Sequence, residues 1–470
     1  MGQREMAVKT ADVESKPVDV KLEPSRKVNG VYRPPADKSI AHRALLLAAL
    51  AEGRSTVAPV SQARDVAATV TCLRQLGVNI EESDGVWVVD SPGAAGWLAP
   101  ERSLDCANSG TTMRLLAGCL AGGDLAVTLA GDASLSRRPM ERIAEPLRRM
   151  GAEIQLSLRQ TAPIRMRGSL LRGIDYELPV PSAQVKSALL LAGLRAAGDM
   201  TIIEHVPSRD HTERMLSACG VDCSVSLPAR PSGDWRERAL AGDEDDEKDT
   251  VHRRTIRLGT QRIVRPHDWV IPGDFSAAAY FLAAAVGASR GDLIVQGVGL
   301  NPTRTGLLRV LSRMGAHIEL KRSDDVGPEP CGQIRAHATP TLKAVKVGPH
   351  EIPSLIDELP LVAILAARAE GVTVVRGASE LRHKESDRIA AVTANLRAMG
   401  VKVAELEDGW AIEGPTEWRG TEVDSYGDHR VAMAFAITAL WADAPTVIRN
   451  AGVMAVSDPD FLANLIALVQ

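Results

Sequence analysis

Hydrophobic and polar positions along this chain follow a pattern that repeats. A run rich in Leu and Ala, helical in spacing, ends at a small residue and passes into a short β-branched run, and this succession occurs six times. The copies are Leu45 to Val57, Leu115 to Leu129, Leu189 to Ile202, Tyr280 to Val295, Leu361 to Val375 and Met433 to Ile448. Five of them carry Gly at the helix exit (Gly53, Gly123, Gly198, Gly291, Gly371), where a left-handed cap is predicted because it costs Gly nothing. A second, amphipathic segment follows each of the first five and closes on Gly77, Gly151, Gly220, Gly315 and Gly400 before another β-like run. Each unit is therefore expected to hold two helices with strands between them, the last ending in a helix over Phe461 to Val469.

Six units fill nearly the whole chain. The one stretched interval, about Pro228 to Arg254, is rich in Asp, Glu, Arg and Gly and reads as a solvated loop near the midpoint. Two domains of three units follow from that position. An open solenoid is the alternative, but the units are longer than typical solenoid repeats and there are few of them.

The segments that precede the first helices are PADKSIAHR, ANSGTTMR, PSAQVKS, PGDFSAA, PSLIDELP and SYGDHR. They have the composition of turns and N-caps, with charged residues just inside the helix. If the units are equivalent, these starts point the same way within each domain and present free N–H groups, which attract anions. The second helices add Arg137, Arg138, Ser208, Arg209, Arg304 and the cluster RHKESDR. Lys38, Arg43, Arg138, Arg209, Lys384, Arg388 and Arg430 thus recur at matching phases of the repeat, as a substrate with several negative groups would require. For any one of them, surface scatter is the simpler account.

Three details bear on chemistry. Ser39 and Arg43 lie one turn apart, with Lys38 beside them, an arrangement suited to a phosphate held by a guanidinium fork. Asn108 and Gly110 open another helix, and Gly110 lets a ligand approach the backbone; Thr111 or Thr112 reads equally as a plain cap. Asp357 and Glu385 are acids among bases, either an acid–base pair or part of a structural ion-pair network.

Composition narrows the field. Hydrophobic residues make up 45%, charged residues 24% and aromatics only 3%, so the core must be built from small aliphatics and stacking platforms for bases are scarce. A net charge of -4 supplies no basic field, so nucleic acid is not expected as a partner. The six cysteines lie mostly in apolar runs and read as reduced thiols; Cys219 and Cys223 alone are a weak zinc signal. Residues 1–17 mix acids and bases without an apolar stretch and read as a flexible tail, and no window is long and apolar enough for a membrane span. A cytoplasmic location is expected.

DKSIAHRALLLAAL, NSGTTMRLLAG and RHKESDRI, in that order, resemble the signatures of the 5-enolpyruvylshikimate-3-phosphate synthases, and the resemblance runs from about Val18 to the C-terminus. Leu115, where many relatives have Pro, is similar to the bacterial branch that includes glyphosate-tolerant members. The resemblance implies a two-domain inside-out α/β barrel of six βαβαββ-type units, one domain over residues 37–271 and the other over 18–36 plus 272–470. Hinges are then expected at Pro34 to Asp37 and Ile271 to Asp274.

The implied reaction joins phosphoenolpyruvate to the 5-hydroxyl of shikimate 3-phosphate and releases phosphate through a tetrahedral intermediate, without metal or organic cofactor and as a monomer. By motif, Lys38, Ser39, Arg43, Ser182, Gln184, Arg209, Asp357 and Lys384 would hold shikimate 3-phosphate. Lys38, Asn108, Gly110, Arg138, Gln184, Arg388 and Arg430 would hold phosphoenolpyruvate. Asp357 would take the hydroxyl proton, and Glu385, assisted by Lys38, would protonate the methylene carbon.

Some positions depart from the family pattern. Ala36 and Ala41 replace a usual Gly and Ser, and Val456 to Pro459 (VSDP) lacks a Lys and an aromatic, which puts a C-terminal contact in question. The sister transferase acting on UDP-N-acetylglucosamine typically has Lys-Asn at Lys38-Ser39 and a reactive Cys loop, neither of which is seen here. A binder of phosphorylated metabolites without catalysis would need neither Asp357 nor Glu385.

Overall fold

The computed structural model describes residues 18–227, 253–323 and 327–469. The expected tail over residues 1–17 and nearly all of the polar insert lie outside the described residues; Arg254, at the insert's end, opens a strand over Arg254–Leu258 that pairs antiparallel with Cys223–Ser226.

The two-helix unit is present throughout. Its helices are α1 (Lys38–Leu50) and α2 (Arg64–Gln75), α3 (Gly110–Ala121) and α4 (Glu141–Met150), α5 (Ala183–Gly193) and α6 (His211–Ala218), then α7 (Phe275–Gly287) and α8 (Gly306–Arg313). The fifth unit has a short extra helix, α9 (Ile352–Leu355), before α10 (Leu359–Ala366) and α11 (Arg388–Ala398), and the sixth has α12 (His429–Trp441) and α13 (Phe461–Val469). The leading helices α1, α3, α5, α7, α10 and α12 are apolar nearly all round, and every residue of α7 is buried. A helix without a polar stripe has no solvent face, so it must sit in the middle of a lobe. The amphipathic trailing helices and the sheets close around it.

Each sheet repeats one plan. In the second unit the order is Leu104–Asp105, Ala126–Ala130, Ile164–Arg167, Glu153–Gln155, with a parallel edge followed by antiparallel neighbours. The first unit borrows its parallel edge, Asp268–Val270, from the far end of its own lobe. The fourth borrows Lys27–Tyr32 from before the chain enters that lobe. The sixth is completed by Val20–Leu22, which pairs antiparallel with Thr446–Arg449.

The buried apolar residues form two clusters, one drawn from 36–271 and one from 22–32 with 275–468. The chain passes between the lobes twice, and the two passages pair with each other: Asp37 N–H donates to Pro272 O and Asp274 N–H to Pro35 O.

Glycine explains how helices so poor in aromatics pack. At Gly118 a β-carbon would lie 2.3 Å from Ala188 O, so α3 and α5 touch backbone to backbone. The closing glycines of the trailing helices are left-handed. At Gly77, for instance, φ is 88°, Gly77 N–H donates to Arg74 O and Val78 N–H to Leu73 O, the Schellman pattern.

The expectation for the leading helices needs correction. None of their C-caps is left-handed: Ala51, Gly122, Ala288 and Ala442 are extended, and Leu194 and Ala367 are right-handed helical. Gly53 lies instead within the following strand Glu52–Ala58, and Gly291 does not have a positive φ at all. A β-carbon at Gly291 would meet Ala285 O at 2.4 Å, so close approach is what requires glycine there. Of the cysteines, Cys223 and Cys331 are only half-buried.

Candidate active site

The six leading helices begin at the junction between the lobes. Five starts are capped by the side chain before them: Asp37 accepts from Ile40 N–H, Ser109 from Thr112, Ser182 from Val185, Asp274 from Ser276 and Asp428 from Arg430. Each cap satisfies one orphan donor and leaves others facing the gap between the lobes. The sixth start breaks the pattern. Glu358 precedes α10 but makes no cap bond; its carboxylate lies behind the cleft, accepting from Arg304 Nη1 at 2.9 Å and from Ser276 Oγ at 2.5 Å.

One cavity of ≈ 350 Å³ occupies this junction, and every site residue expected from the sequence lines it. Lobe one supplies Lys38, Ser39, Arg43, Asn108, Gly110, Arg138, Ser182, Gln184 and Arg209; lobe two supplies Asp357, Lys384, Glu385, Arg388 and Arg430. None of residues 456–459 lines it. Asp458 is buried against Tyr32, whose hydroxyl donates to it at 3.3 Å, and burial pushes its carboxyl up to about 6.

The fork predicted for Arg43 is present but already engaged. Its nitrogens reach Thr212 Oγ1 at 2.8 Å, Ser39 O at 2.8 Å and Ser187 Oγ at 2.9 Å. All three partners are neutral, so Arg43 makes no ion pair among the described residues, and burial lowers the guanidinium to about 10, still protonated at neutral pH. Arg138 donates to Asn108 Oδ1 at 2.6 Å, and Lys38 pairs with Asp65 at 3.1 Å.

Asp357 and Glu385 are set among cations. Asp357 faces Arg209 at 2.5 Å, Arg430 at 3.5 Å and Arg388 at 3.6 Å. Burial pushes its carboxyl upward, but Arg430 and Arg209 outweigh burial and hold it well below the usual carboxylate range. Glu385 accepts from Arg388 at 2.5 Å and faces Arg138 at 3.6 Å; there too the arginines overcome burial and the net shift is strongly downward. Burial lowers Lys384, the nearby cation with no hydrogen-bonding partner among the described residues. Both acids are thus ionised, and each bridges the lobes through an arginine that an incoming anion could claim.

Sequence reasoning missed several lining residues. Arg114 follows Gly110 by one turn in NSGTTMR, and that spacing was signal enough to find it. It donates to Gln184 Oε1 at 2.6 Å. A β-carbon on Gly110 would lie 2.8 Å from Arg114 Nη1 and 3.4 Å from Arg138 Nη1. Asp65, Arg142, Glu380 and His429 gave no such signal, because their partners are remote in sequence; Arg142 meets Glu380 across the cleft at 3.2 Å.

Two α/β lobes of repeated units, with helix starts and convergent arginines around two carboxylates, define an enzyme of the enolpyruvyl-transferase class. The chain belongs to the EPSP synthase (3-phosphoshikimate 1-carboxyvinyltransferase) family, whose model matches residues 22–229 and 246–465. It is 42% identical over 445 residues to the 3-phosphoshikimate 1-carboxyvinyltransferase of Alkaliphilus metalliredigens, covering 94% of this chain and 98% of that one. It is 45% identical to the enzyme of that name from Halorhodospira halophila over 447 residues, 95% of each chain. Among solved structures, EPSP synthase from Acinetobacter baumannii superposes with a TM-score of 0.81 at 37% identity, covering 96% of this chain and 98% of that one. The enolpyruvyl transferase NikO from Streptomyces tendae, at 19% identity and a TM-score of 0.71 over 96% of this chain and 97% of that one, shares the fold.

Proposed function

We propose that the cavity between the lobes binds shikimate 3-phosphate and phosphoenolpyruvate together and that Asp357 and Glu385 move the protons of the transfer. The transfer of an enolpyruvyl group from phosphoenolpyruvate to shikimate 3-phosphate is the activity of the family to which the chain belongs. The observation that carries the residue assignment is the convergence of Asp357 and Glu385 with ten Lys and Arg side chains, from distant parts of the chain, on one enclosed space.

Lys38, Ser39, Arg43, Ser182, Gln184, Arg209 and Lys384 hold shikimate 3-phosphate, with Arg43 the buried charge awaiting its phosphate. Lys38, Asn108, Gly110, Arg138, Gln184, Arg388 and Arg430 hold phosphoenolpyruvate. In the addition, Asp357 takes the proton of the 5-hydroxyl as its oxygen attacks the enol carbon, and Glu385, assisted by Lys38, gives a proton to the methylene carbon. In the elimination, Glu385, now a carboxylate, takes a proton from the new methyl group as the carbon–oxygen bond to phosphate breaks, and the arginines receive the departing phosphate's charge.

Substrate binding is what prepares the acids. Without anions, Arg388 and Arg138 hold Glu385 ionised, which is the wrong state for an acid. Phosphate and carboxylate groups that claim these arginines withdraw that stabilisation, and burial then raises the Glu385 carboxyl toward the range where it can carry a proton.

The two clusters of core residues support domains over 37–271 and 18–36 plus 272–470, closing about the paired passages at residues 34–37 and 271–274. A cavity completed by one chain supports work as a monomer, and a cytoplasmic location is part of the same reading. No helix among the described residues is long and apolar enough to cross a membrane.

A phosphate-release assay with both substrates tests the proposal. Release is expected to saturate with shikimate 3-phosphate and not with a UDP-sugar; tight binding of both substrates without release would leave a binding protein.

A further inference from the structure

Lobe one contains a fully buried lysine that the reaction does not use. Lys186, on α5 two residues beyond Gln184, is 0% exposed, and its Nζ lies 3.0 Å from Glu204 Oε2 and 2.7 Å from Glu213 Oε1. Removing such charges from water costs several kcal/mol per ion, so the cluster stays in place only through good geometry or a role.

Its surroundings indicate where that arrangement acts. The second oxygen of Glu204 accepts from the Ser208 N–H at 3.2 Å and from the Ser208 hydroxyl. Ser208 lines the cavity and is followed by Arg209, which faces Asp357 across the cleft. The neighbour of Lys186 on α5 is Ser187, and the neighbour of Glu213 on α6 is Thr212; their hydroxyls lie 2.6 Å apart and both accept from Arg43. The same two helices are therefore tied twice, once around Arg43 and once around Lys186. Among the described residues Arg43 has no carboxylate within ion-pairing distance, and Glu213 is the first of the charges that offset it from behind.

We propose that Lys186, Glu204 and Glu213 are positioning residues for the phosphate of the hydroxy-acid substrate. Glu204 sets the loop that carries Ser208 and Arg209, Lys186 fixes Glu204 against α5 and α6, and Glu213 balances Arg43. The group touches no substrate. The inference rests on the reading of Arg43 and Arg209 as phosphate ligands, and its test separates the two.

Steady-state kinetics with each substrate varied, together with melting temperatures, are measured for Arg209→Met, for the paired replacement Lys186→Met with Glu204→Leu, and for Glu204→Gln. The paired replacement removes both charges and the acceptor for Ser208; Glu204→Gln loses the charge but keeps an oxygen for it. The paired variant is expected to raise KM for shikimate 3-phosphate about tenfold, the cost of one lost charge-assisted hydrogen bond, with kcat and KM for phosphoenolpyruvate within about threefold. Glu204→Gln should raise the same KM by less. If Arg209→Met raises that KM while both Glu204 variants only melt earlier, the positioning role is overturned and the site reading stands. If Arg209→Met leaves it unchanged, the site reading fails and takes this inference with it. Should the paired variant not fold, Glu204→Gln decides: no rise in KM for shikimate 3-phosphate overturns the role.

Discussion

The two lobes share one repeat plan and meet at one cavity, yet they balance charge in opposite ways. Lobe one offers cations whose partners within that lobe are mostly neutral: Arg43 rests on hydroxyls and a carbonyl, Arg114 on Gln184, Arg138 on Asn108. Lobe two offers cations already matched by its own acids, with Arg388 on Asp428 at 2.8 Å and on Glu385, Arg304 on Glu358, and Arg430 facing Asp357. Where the lobes meet, the acids of lobe two reach the spare arginines of lobe one: Asp357 to Arg209, Glu385 to Arg138, Glu380 to Arg142. A surface of unmatched positive charge is suited to grip anions. A surface of matched pairs is suited to give up and regain protons as its partners are drawn away. On the proposed roles, affinity falls chiefly to lobe one and chemistry chiefly to lobe two, and substitutions can break that division.

The largest effect is expected at Glu385. Glu385→Gln keeps the shape but cannot cycle a proton, so kcat should fall roughly a thousandfold while binding of shikimate 3-phosphate by calorimetry changes little. Equal losses in both would end the division of labour between the lobes.

Next comes a buried acid of lobe two that makes no ion pair among the described residues. Asp458 is raised by burial to about 6, above its ordinary value of 3.8. A carboxyl raised in the folded state contributes stability that is full below about pH 4 and is lost as the pH rises through about 6. Asp458→Asn should flatten that dependence, and above pH 7 it should be the more stable protein by at most about 3 kcal/mol in urea titration. An unchanged pH dependence would show that Asp458 is not the titrating group.

In lobe one, Arg43→Met removes a buried charge whose only local partners are neutral. KM for shikimate 3-phosphate is expected to rise about a hundredfold, with a smaller change in kcat. A fall in kcat at unchanged KM would move Arg43 from the gripping side to the chemical one.

The smallest effect is expected at Gly110. In Gly110→Ala the methyl group would press on Arg114 and Arg138, flexible side chains that can give way. KM for phosphoenolpyruvate should rise about tenfold with that for shikimate 3-phosphate unmoved. Glyphosate, taken to occupy the phosphoenolpyruvate position and to inhibit the native protein, should lose potency in parallel in an inhibition titration. A native enzyme indifferent to it would contradict that placement.

Much of the fold could be read in advance because the repeat writes the same physics six times. Helices without a polar stripe have to be interior, and Gly77, Gly151, Gly220, Gly315 and Gly400 mark where the trailing helices stop in left-handed turns. Gly53 and Gly291, expected at helix caps, are each the second residue of the following strand, and of the two only Gly53 has the positive φ. A letter alone does not distinguish a glycine needed for its φ from one needed for close approach.

The site residues were legible for a related reason. A helix start is a local feature, so the phase of the repeat placed Lys38, Asn108, Ser182, Asp357 and Arg430 in equivalent positions before any contact was known. What only the tertiary structure decided is which charge meets which. Lys38 with Asp65, Arg209 with Asp357, Arg142 with Glu380 and the buried set around Lys186 join residues that no spacing connects. Backbone preference acts over a few residues and is written in the order of the chain, whereas a Coulomb contact depends on distance through space, and distance is settled when the two lobes come together.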